Sequence, residues 1–548
     1  MKRFLLTTTL YLTASALLSP LGAQNDKNFE ISKNLEVFAN VYKTLNSNYV
    51  DEVDPGKAIK VAIDAMLASM DPYTNYFPES DMEDVKMQMF GQYGGVGALI
   101  HMEGDKHYIA EPFEGMPADL AGAKAGDQIL AVNGENTTGK KTADVSNAMR
   151  GQAGTPVTLT LERDGKVFDI TITRKEIHMP NVPYSGMVQG NVGYIRLTEF
   201  TQDAAKNVRD AFLQLKRAHP DMKGVILDLR GNGGGLMSEA IDIVNIWVKS
   251  GELVVEQKGK VAERNQKHRT GKAPDDLKIP VAVLIDEHSA SASEIVSGSL
   301  QDLDRAVIVG SRSFGKGLVQ NILPMPYNNQ MKVTVSKYFI PSGRCIQAID
   351  YSRRDANGRA TKVPDSLKTA YTTRNGRTVY DGFGIEPDVE VEPTTSSLLT
   401  VALYNKFLFF QYATKFHREH PSIPPATEFT ITDEIYNDFI AFLADKTYEY
   451  TTYTEKLLEE MHRVAKEENY IDEINQQLEQ LEETFKNAKK ADLLRNREDI
   501  SRYLRDEILV RYYYSRGRLE GSLGDDPDVL KAVEILTHPE EYNKILHP

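Results

Sequence analysis

Residues 281–303 read VAVLIDEHSASASEIVSGSLQDL, and this stretch decides the fold class. Its first five residues form an unbroken apolar run, which predicts a buried strand, and apolar side chains recur on one face of residues 292–303, which predicts a helix. Small hydroxyl residues lie between the two elements, where unpaired N–H groups and the helix dipole favour negative charge. The stretch therefore predicts a strand, turn and helix that can expose a nucleophile.

The same alternation of elements continues on both sides of this stretch. Residues 225–229 predict a second buried strand, residues 236–248 a helix and residues 306–309 a further strand. Strands that alternate with helices are typical of a layered α/β unit. We expect this unit to span residues 176–392.

The turn that contains Ser291 has the groups that acyl transfer requires. The N–H of Ala292 opens the predicted helix and can donate to an oxyanion. Gly234 or Gly235 can supply a second donor, because the glycine-rich stretch after the strand at 225–229 lets the backbone approach a substrate closely. Ser291 is therefore the candidate nucleophile.

A serine hydroxyl needs a base, and Lys316 is the candidate. It lies in an apolar, glycine-lined loop that follows the strand at 306–309. To act at neutral pH its amine needs a pKa well below the usual lysine value, and desolvation can supply that shift. Gln320, four residues later, can orient the amine without adding charge.

Residues 91–175 have glycine-rich turns, short alternating strands and one helical stretch near 143–149. The segment GDQILAVNG at 126–134 resembles a strand and turn of PDZ domains, and YGGVG at 93–97 resembles their carboxylate-binding loop. The resemblance implies that a peptide carboxylate would be bound by Gly94, Gly95, Val96 and Gly97. Convergent N–H groups suit an anion, and an open sheet edge suits an extended peptide. A plain small β domain is the alternative.

The motifs around the candidate nucleophile and base resemble those of the C-terminal processing peptidases. That family carries Ser-Ala-Ser-Ala-Ser-Glu, here residues 289–294, and then Phe-Gly-Lys-Gly, here residues 314–317, with a glutamine four residues after the lysine. The resemblance implies that Ser291 is the nucleophile, Lys316 the general base and Gln320 the residue that orients the base.

The resemblance covers about residues 30 to 392. Residues 71–74 are similar to the family's N-terminal helical region, and residues 383–389 to the segment that closes its protease core. It implies a multidomain α/β protein, with a PDZ-like β domain and a layered α/β protease core of the crotonase and Clp type. It implies no cofactor and no metal.

The first residues have the layout of a secretory signal. Lys2 and Arg3 precede an apolar run at 4–18 and the small residues 21–23, so we expect a cleaved signal peptide at residues 1–23. This predicts an exported protein, expected in the periplasm, with no membrane span after signal removal. An uncleaved anchor is the alternative, although the run is short for a span of about 20 residues.

Helical patterning flanks the two central domains. Apolar residues at three- and four-residue spacing predict a helical N-terminal region at 28–90, and residues 393–548 are also helical in pattern, with long charged stretches. We interpret residues 393–548 as a solvated, amphipathic helical C-terminal extension. A coiled-coil surface for a partner is the alternative.

Composition excludes some functions. The 548 residues leave room for three or four domains, and a net charge of -14 argues against a general nucleic-acid binder. The single cysteine, Cys345, allows neither an intrachain disulfide nor a cysteine-based zinc cluster.

Three rival chemistries fit the sequence less well. A triad based on His288 is disfavoured because adjacent side chains seldom meet and the Gly-x-Ser-x-Gly elbow is absent from the sequence. Residues 310–316 match a phosphate-binding loop, but Gly317 replaces the Ser or Thr that should bind magnesium. His417 and His420 are three residues apart, whereas the zincin pattern needs four.

The sequence therefore predicts a serine endopeptidase that cleaves exported proteins by a Ser/Lys acyl-enzyme mechanism. Its expected partners are unfolded or tail-exposed proteins, bound by their C-termini on the PDZ-like domain, and self-association into a homo-oligomer is left open. An inactive PDZ scaffold is the main alternative, although Ser291, Lys316 and Gln320 are all intact. An esterase or amidase for small molecules would leave the peptide-binding domain unexplained.

Overall fold

The computed structural model describes residues 19–79 and 92–547. The helices in them are α1 Ser19–Asn48, α2 Pro55–Ala68, α3 Pro117–Leu120, α4 Thr142–Met149, α5 Ala204–Ala218, α6 Met237–Trp247, α7 Ala292–Asp302, α8 Leu398–Asn405, α9 Leu408–Glu419, α10 Asp433–Phe442, α11 Tyr453–Glu467, α12 Ile471–Lys489, α13 Asp492–Arg495, α14 Arg497–Ser522, α15 Pro527–Thr537 and α16 Pro539–Leu546. Most of the predicted signal peptide, residues 1–18, lies outside the described part.

The strands in the same residues are short. They are β1 Asn75–Phe77, β2 Gln92–Gly95, β3 Ala98–Glu103, β4 Lys106–Pro112, β5 Gln128–Val132, β6 Glu135–Asn136, β7 Pro156–Arg163, β8 Lys166–Thr173, β9 Lys175–His178, β10 Tyr184–Val188, β11 Val192–Arg196, β12 Gly224–Asp228, β13 Leu253–Gly259, β14 Gln266–Arg269, β15 Val281–Ile285, β16 Val307–Gly310, β17 Leu318–Pro324, β18 Gln330–Phe339, β19 Ile349–Arg354, β20 Ala360–Lys362, β21 Ala370–Thr372, β22 Thr378–Tyr380 and β23 Val389–Glu390.

The described residues form two compact units. The smaller unit contains residues 19–79 and 320–334, and the larger contains 92–319 and 335–547. Within 19–79 and 92–547, none of the helices is both long enough and apolar enough to cross a membrane.

In the smaller unit, residues 19–48 and 55–68 are helical, as expected for residues 28–90, whereas β1 and the parts of β17 and β18 within residues 320–334 are strands. Residues 80–90 of the predicted helical region lie outside the described part. The predicted helical pattern is wrong at Asn75–Phe77, where β1 pairs antiparallel with Gln330–Lys332 of β18. The Asp71 carboxylate accepts hydrogen bonds from the N–H groups of Tyr73 and Thr74, both at 2.8 Å, so it stabilises a turn rather than a further helical turn.

A six-stranded sheet is the centre of the larger unit, in the order β10-β11-β12-β15-β16-β23. All neighbours from β11 to β23 pair in parallel, and β10 pairs antiparallel at one edge. Every residue of β12, β15 and β16 is buried, as a sheet covered on both faces requires. This sheet confirms the predicted layered α/β core.

Alternate residues of β15 contribute to opposite faces of the sheet. Val283 belongs to the apolar cluster formed with α5, α6 and α7, whereas Leu284 belongs to a second cluster formed with α15 and α16. In the second cluster, Leu536 of α15 packs against Gly224 of β12. A Cβ added at Gly224 would lie only 3.0 Å from the Cβ of Leu536. The last two helices therefore cover one face of the six-stranded sheet.

The prediction of a solvated extension at 393–548 is wrong, although the region is helical as expected. Helices α8, α9, α10 and α14 bury an apolar cluster of their own, in which Tyr412, Phe439 and Leu504 are fully buried. The remaining helices α15 and α16 share a cluster with the sheet. Charged residues in a helical pattern indicate which helix faces are exposed. They do not indicate what the apolar faces contact.

The PDZ-like domain predicted at residues 91–175 has an apolar core of its own within the larger unit. Its main sheet has the order β3-β4-β5-β7-β8, with β6 paired to β5, and β2 and β9 form a separate two-stranded sheet. Its longer helix, α4, includes the predicted helical stretch 143–149. Ile109, Ile129 and Leu159 are buried in its apolar cluster.

The PDZ domain contacts the C-terminal helices around a break in α14. At this break Tyr514 has φ 55° and ψ −171°. Its hydroxyl donates to the Asp119 carboxylate at 2.9 Å, and the next amide, Ser515 N–H, donates to Glu111 at 2.7 Å. Nearby, the His101 ring stacks on Phe407 with centroids 4.3 Å apart. The C-terminal helices therefore hold the PDZ domain through polar and aromatic contacts.

This contact predicts a loss of stability in acid. Desolvation lowers the pKa of His101 to about 4; among the facing groups, Glu507 raises it and Arg511 and His107 lower it. The folded protein favours the neutral His101 ring more than the unfolded chain does. The stability that follows from this preference is fully present above pH 6.5, the ordinary histidine pKa, and is lost as the pH falls towards about 4.

We expect His101→Phe to keep the stacking and to make the fall in melting temperature between pH 6.5 and 4 shallower, measured by thermal unfolding across that range. The exposed His219→Gln variant is the control and should retain the wild-type slope. An unchanged slope in His101→Phe would contradict the assignment.

Candidate active site

The turn between β15 and α7 is held by its side chains. The Asp286 carboxylate accepts from the N–H groups of His288 and Ser289, both at 3.0 Å. Ser289 Oγ donates to Leu229 O at 2.8 Å, and Ser293 Oγ donates to Asn232 O at 2.8 Å. The outer two serines of the motif therefore join the turn to the glycine-rich loop after β12.

Ser291, between them, has a strained backbone. Its φ of 57° and ψ of −112° lie in a region that residues other than glycine rarely adopt, and it immediately precedes the first residue of α7. Such conformations cost about 1–3 kcal/mol and persist where surrounding contacts determine them. The strain supports the choice of Ser291 within the three-serine motif.

Two buried side chains join the backbones of Ser291 and Lys316. One oxygen of Glu294, Oε2, accepts from the N–H of Ser291 at 2.8 Å and from the N–H of Lys316 at 2.9 Å. The Tyr338 hydroxyl lies 3.1 Å from the carbonyl oxygen of Ser291 and 2.6 Å from that of Lys316. The structure therefore brings the candidate nucleophile and base together through shared partners.

Glu294 is fully buried and its carboxylate has four donors. Besides those two amides, its Oε1 accepts from Ser313 Oγ at 2.6 Å and from Gly315 N–H at 2.7 Å. Burial raises the pKa of Glu294, while the hydrogen bonds from Ser313, Lys316, Ser291 and Gly315 oppose that rise. The four donors match a carboxylate that accepts at both oxygens.

Glu294 and Tyr338 were not predicted as site residues. A glutamate three residues after a helix N-cap serine is the capping-box signature, so the sequence did contain a signal for Glu294. Tyr338 lies in β18, far along the chain, and only the tertiary fold brings it to the turn. Its role could not be read from local sequence.

Of the predicted oxyanion donors, Ala292 directly follows Ser291 and Gly234 lies beside both, whereas Gly235 lies against Phe200. A Cβ on Gly234, which has φ +103°, would lie 2.8 Å from Ser291 Cβ and 2.9 Å from Ala292 N. In this conformation Gly234 N–H donates to Asn232 Oδ1 at 2.9 Å. Ala292 opens α7, where an N–H has no partner within the helix, and Gly235 is exposed.

Gln320 belongs to the smaller unit, whereas Ser291 and Lys316 belong to the larger. The Gln320 side-chain amide donates to Thr334 Oγ1 at 3.2 Å, within the hairpin of β17 and β18. Its predicted action on Lys316 stays a prediction.

The structure gives little support to a histidine triad, a phosphate-binding loop or a zinc site. The His288 side chain is 71% exposed. The N–H groups of Gly315 and Lys316, which a phosphate-binding loop would offer to a phosphate, donate to Glu294, and the chain continues into β17 rather than a helix. His420 stacks on Phe416 at 4.0 Å. Within 19–79 and 92–547, no cluster of three or more His, Cys, Asp or Glu suits a metal.

The PDZ domain contains a cavity of about 360 Å³ between β3 and α4. Leu99, Phe113 and Met149 are among its apolar lining residues, and Arg150 lies at its wall, 5.2 Å from the ring centre of Tyr93. Of the four predicted carboxylate-loop residues, Gly94 and Gly95 lie in β2, Val96 lines the cavity and Gly97 has φ +74°.

Comparison with known proteins agrees with this architecture. The profile of peptidase family S41 matches residues 191–352, a PDZ-domain profile matches residues 108–163, and a profile described as the C-terminal helical domain of a probable PDZ-protease matches residues 399–536.

Curated relatives match over most of their length. A carboxy-terminal-processing protease of Bartonella bacilliformis is 36% identical over 62% of this chain and 79% of its own. A probable CtpA-like serine protease of Staphylococcus aureus is 33% identical over 78% of this chain and 84% of its own. Among solved structures, a photosystem II D1 C-terminal processing protease is 25% identical over 66% of this chain and 93% of its own, with a TM-score of 0.36.

The family-profile matches and the curated relatives define a serine-type peptidase that carries a PDZ domain. Within that class, the chain belongs to the carboxy-terminal-processing proteases of peptidase family S41.

The four donors around Glu294 generate a prediction. In Glu294→Gln one oxygen becomes an NH₂ group that faces two donors, so we expect proteolytic activity to fall at least about tenfold and the free energy of unfolding to fall by about 1–3 kcal/mol. Peptidase assays and urea unfolding at pH 7 would measure both. The matched control is Glu287→Gln, whose side chain is 67% exposed in the same turn. Wild-type activity in Glu294→Gln would show that the four hydrogen bonds to Glu294 are not needed to hold the site.

Proposed function

We propose that the chain is an endopeptidase that cleaves through a Ser291 acyl-enzyme with Lys316 as the base. The observation that carries this proposal is the pair of shared contacts, in which Glu294 Oε2 accepts from both backbone N–H groups and the Tyr338 hydroxyl contacts both carbonyl oxygens. A nucleophile and its base must keep a fixed separation through the reaction. Buried common partners supply that constraint.

The reaction follows from these positions. Lys316 Nζ takes the hydroxyl proton as Ser291 Oγ attacks the scissile carbonyl carbon, and the resulting oxyanion is stabilised by backbone N–H donors. Ala292 is one proposed donor, with Gly234 or Gly235 as the second. The tetrahedral intermediate collapses with protonation of the leaving amine, and water then hydrolyses the acyl-enzyme. Gln320 is proposed to orient the Lys316 amine.

The PDZ domain is proposed to bind the free C-terminus of the substrate. The apolar cavity suits an apolar terminal side chain, and Arg150 at its wall adds positive charge for a carboxylate. We further propose that unfolded or tail-exposed exported proteins are the substrates and that the protein acts in the periplasm. The signal pattern at residues 1–23 supports that location.

Replacement of the two central groups tests the mechanism. We expect Ser291→Ala and Lys316→Ala each to lower kcat on an unfolded protein with a free apolar tail by at least about 10³-fold, because either change removes the activated nucleophile. Both should bind tail peptide as the wild type does. Persistent cutting by Lys316→Ala would mean that the base is a different residue, and persistent cutting by Ser291→Ala would overturn the proposed nucleophile.

A change in the PDZ cavity tests tail recognition. Leu99→Glu places a negative charge in the apolar lining, where it weakens the apolar contact and repels the tail carboxylate. We therefore expect the Kd for a free-tail peptide to rise about tenfold, or about 1.4 kcal/mol, while hydrolysis of a short tail-independent peptide is unchanged. Fluorescence anisotropy with free and amidated tails would measure the affinity. Val167→Glu, at an exposed position of β8 outside the cavity lining, is the control. Equal affinity for free and amidated tails would contradict carboxylate recognition.

A further inference from the structure

Arg230 joins the glycine-rich loop beside Ser291 to the C-terminal helical region. Its guanidinium donates to Asp228 Oδ2 at 2.7 Å, Asp526 Oδ1 at 2.9 Å and Asp528 Oδ2 at 2.7 Å. Asp228 ends β12, whereas Asp526 and Asp528 lie at the start of α15, almost 300 residues later. One arginine side chain therefore binds two distant parts of the chain.

The surroundings of Arg230 favour a fixed position. Asp228 is fully buried and also accepts from Tyr194 Oη at 2.7 Å, and Arg196 Nη1 lies 2.7 Å from its Oδ1. Burial alone would raise the pKa of Asp228, but the guanidinium groups of Arg230 and Arg196 hold it well below its usual value. The Arg230 side chain is only 18% exposed. Charge-assisted hydrogen bonds in such surroundings are strong and directional.

The backbone that follows Arg230 leads directly to the nucleophile. Arg196 Nη2 donates to Arg230 O at 2.6 Å, and Asn232 O accepts from Ala290 N–H at 3.0 Å. Two residues further on, Gly234 lies against Ser291 and Ala292. A displacement of Arg230 would therefore move the loop that carries the proposed oxyanion donors.

We propose that Asp526 and Asp528 act through Arg230 as positioning residues for the glycine-rich loop at residues 231–235, the oxyanion loop. The C-terminal helical region is then part of the catalytic apparatus as well as a cover for the sheet. This inference rests on the proposed function, because it requires Gly234 or Gly235 to contribute an oxyanion donor. Its physical basis is that a donor displaced by about 1 Å can cost about 10²-fold in rate.

The simpler interpretation is that the three carboxylates and Arg230 only attach the C-terminal helices to the core. The two interpretations differ in what is lost when the contact is weakened. Loss of attachment alone lowers the melting temperature and leaves kcat unchanged below it. Loss of loop position lowers kcat in protein that remains folded, with KM and tail affinity retained.

The test uses Asp526→Asn/Asp528→Asn in the full chain. Asparagine is also a good N-cap, so the bonds that Asp526 accepts from the N–H groups of Asp528 and Val529 can persist. We expect kcat on a short peptide to fall about 10- to 100-fold. KM and the Kd for a tail peptide should stay within about twofold of wild type at temperatures well below unfolding.

Two further variants make the result specific. Asp525→Asn removes a neighbouring carboxylate that binds Arg505 at 2.7 Å, and should leave kcat unchanged. The single variant Asp528→Glu keeps the negative charge. It should therefore retain more of the wild-type kcat than the single variant Asp528→Asn. Wild-type kcat in the double variant, or a loss of kcat that merely follows unfolding, would overturn the inference.

The same assays include Ser291→Ala, which separates this inference from the proposed function. If Ser291→Ala is inactive and the double variant keeps wild-type kcat, only the positioning role fails. If Ser291→Ala remains active, the proposed nucleophile fails, and the oxyanion loop beside it loses its assigned role as well.

Discussion

The hydrogen bonds of Glu294 are the constraint on which the catalytic geometry depends. A single carboxylate, buried at the start of α7, accepts from the backbones of Ser291 and Lys316 and from two donors between β16 and β17. Ser291 occupies a conformation that costs about 1–3 kcal/mol, and a bond at its N–H together with the Tyr338 contact at its carbonyl determines that conformation. The strain is thus maintained by contacts that also position the lysine.

Local sequence was sufficient for the parts of the site that are built locally. The apolar run Val281–Ile285, the three serines and the glycine-lined lysine lie within 36 residues, and their patterns predicted a strand, a turn and a helix within a residue of the observed bounds. Tyr338 and the partners of Arg230 were missed because they depend on contacts between distant segments. The strand Asn75–Phe77 was missed for the same reason, since its pairing with β18 overrides a helical pattern.

The C-terminal helices illustrate a further limit of sequence patterns. Their charged faces are exposed, as expected, but their apolar faces cover the sheet at Gly224 and hold the PDZ domain at Glu111. The spacing of apolar residues shows that a helix has an apolar face, yet it contains no information about the partner of that face. The family resemblance ended near residue 392, so the sequence offered no second source of evidence there.

There is a physical reason why the oxyanion loop is supported by a distant region of the chain, the start of α15. The oxyanion loop needs glycine, because a Cβ at Gly234 would meet Ser291, and glycine-rich backbone has a large conformational entropy when it is not constrained. Asn232, within the loop, removes part of that freedom because its Oδ1 accepts from Gly234 N–H at 2.9 Å, but the glycines themselves have no side chain to supply a contact. Further constraint comes from residues that flank the loop, and Arg230, with carboxylates on both sides, is a side chain at its entrance that provides it.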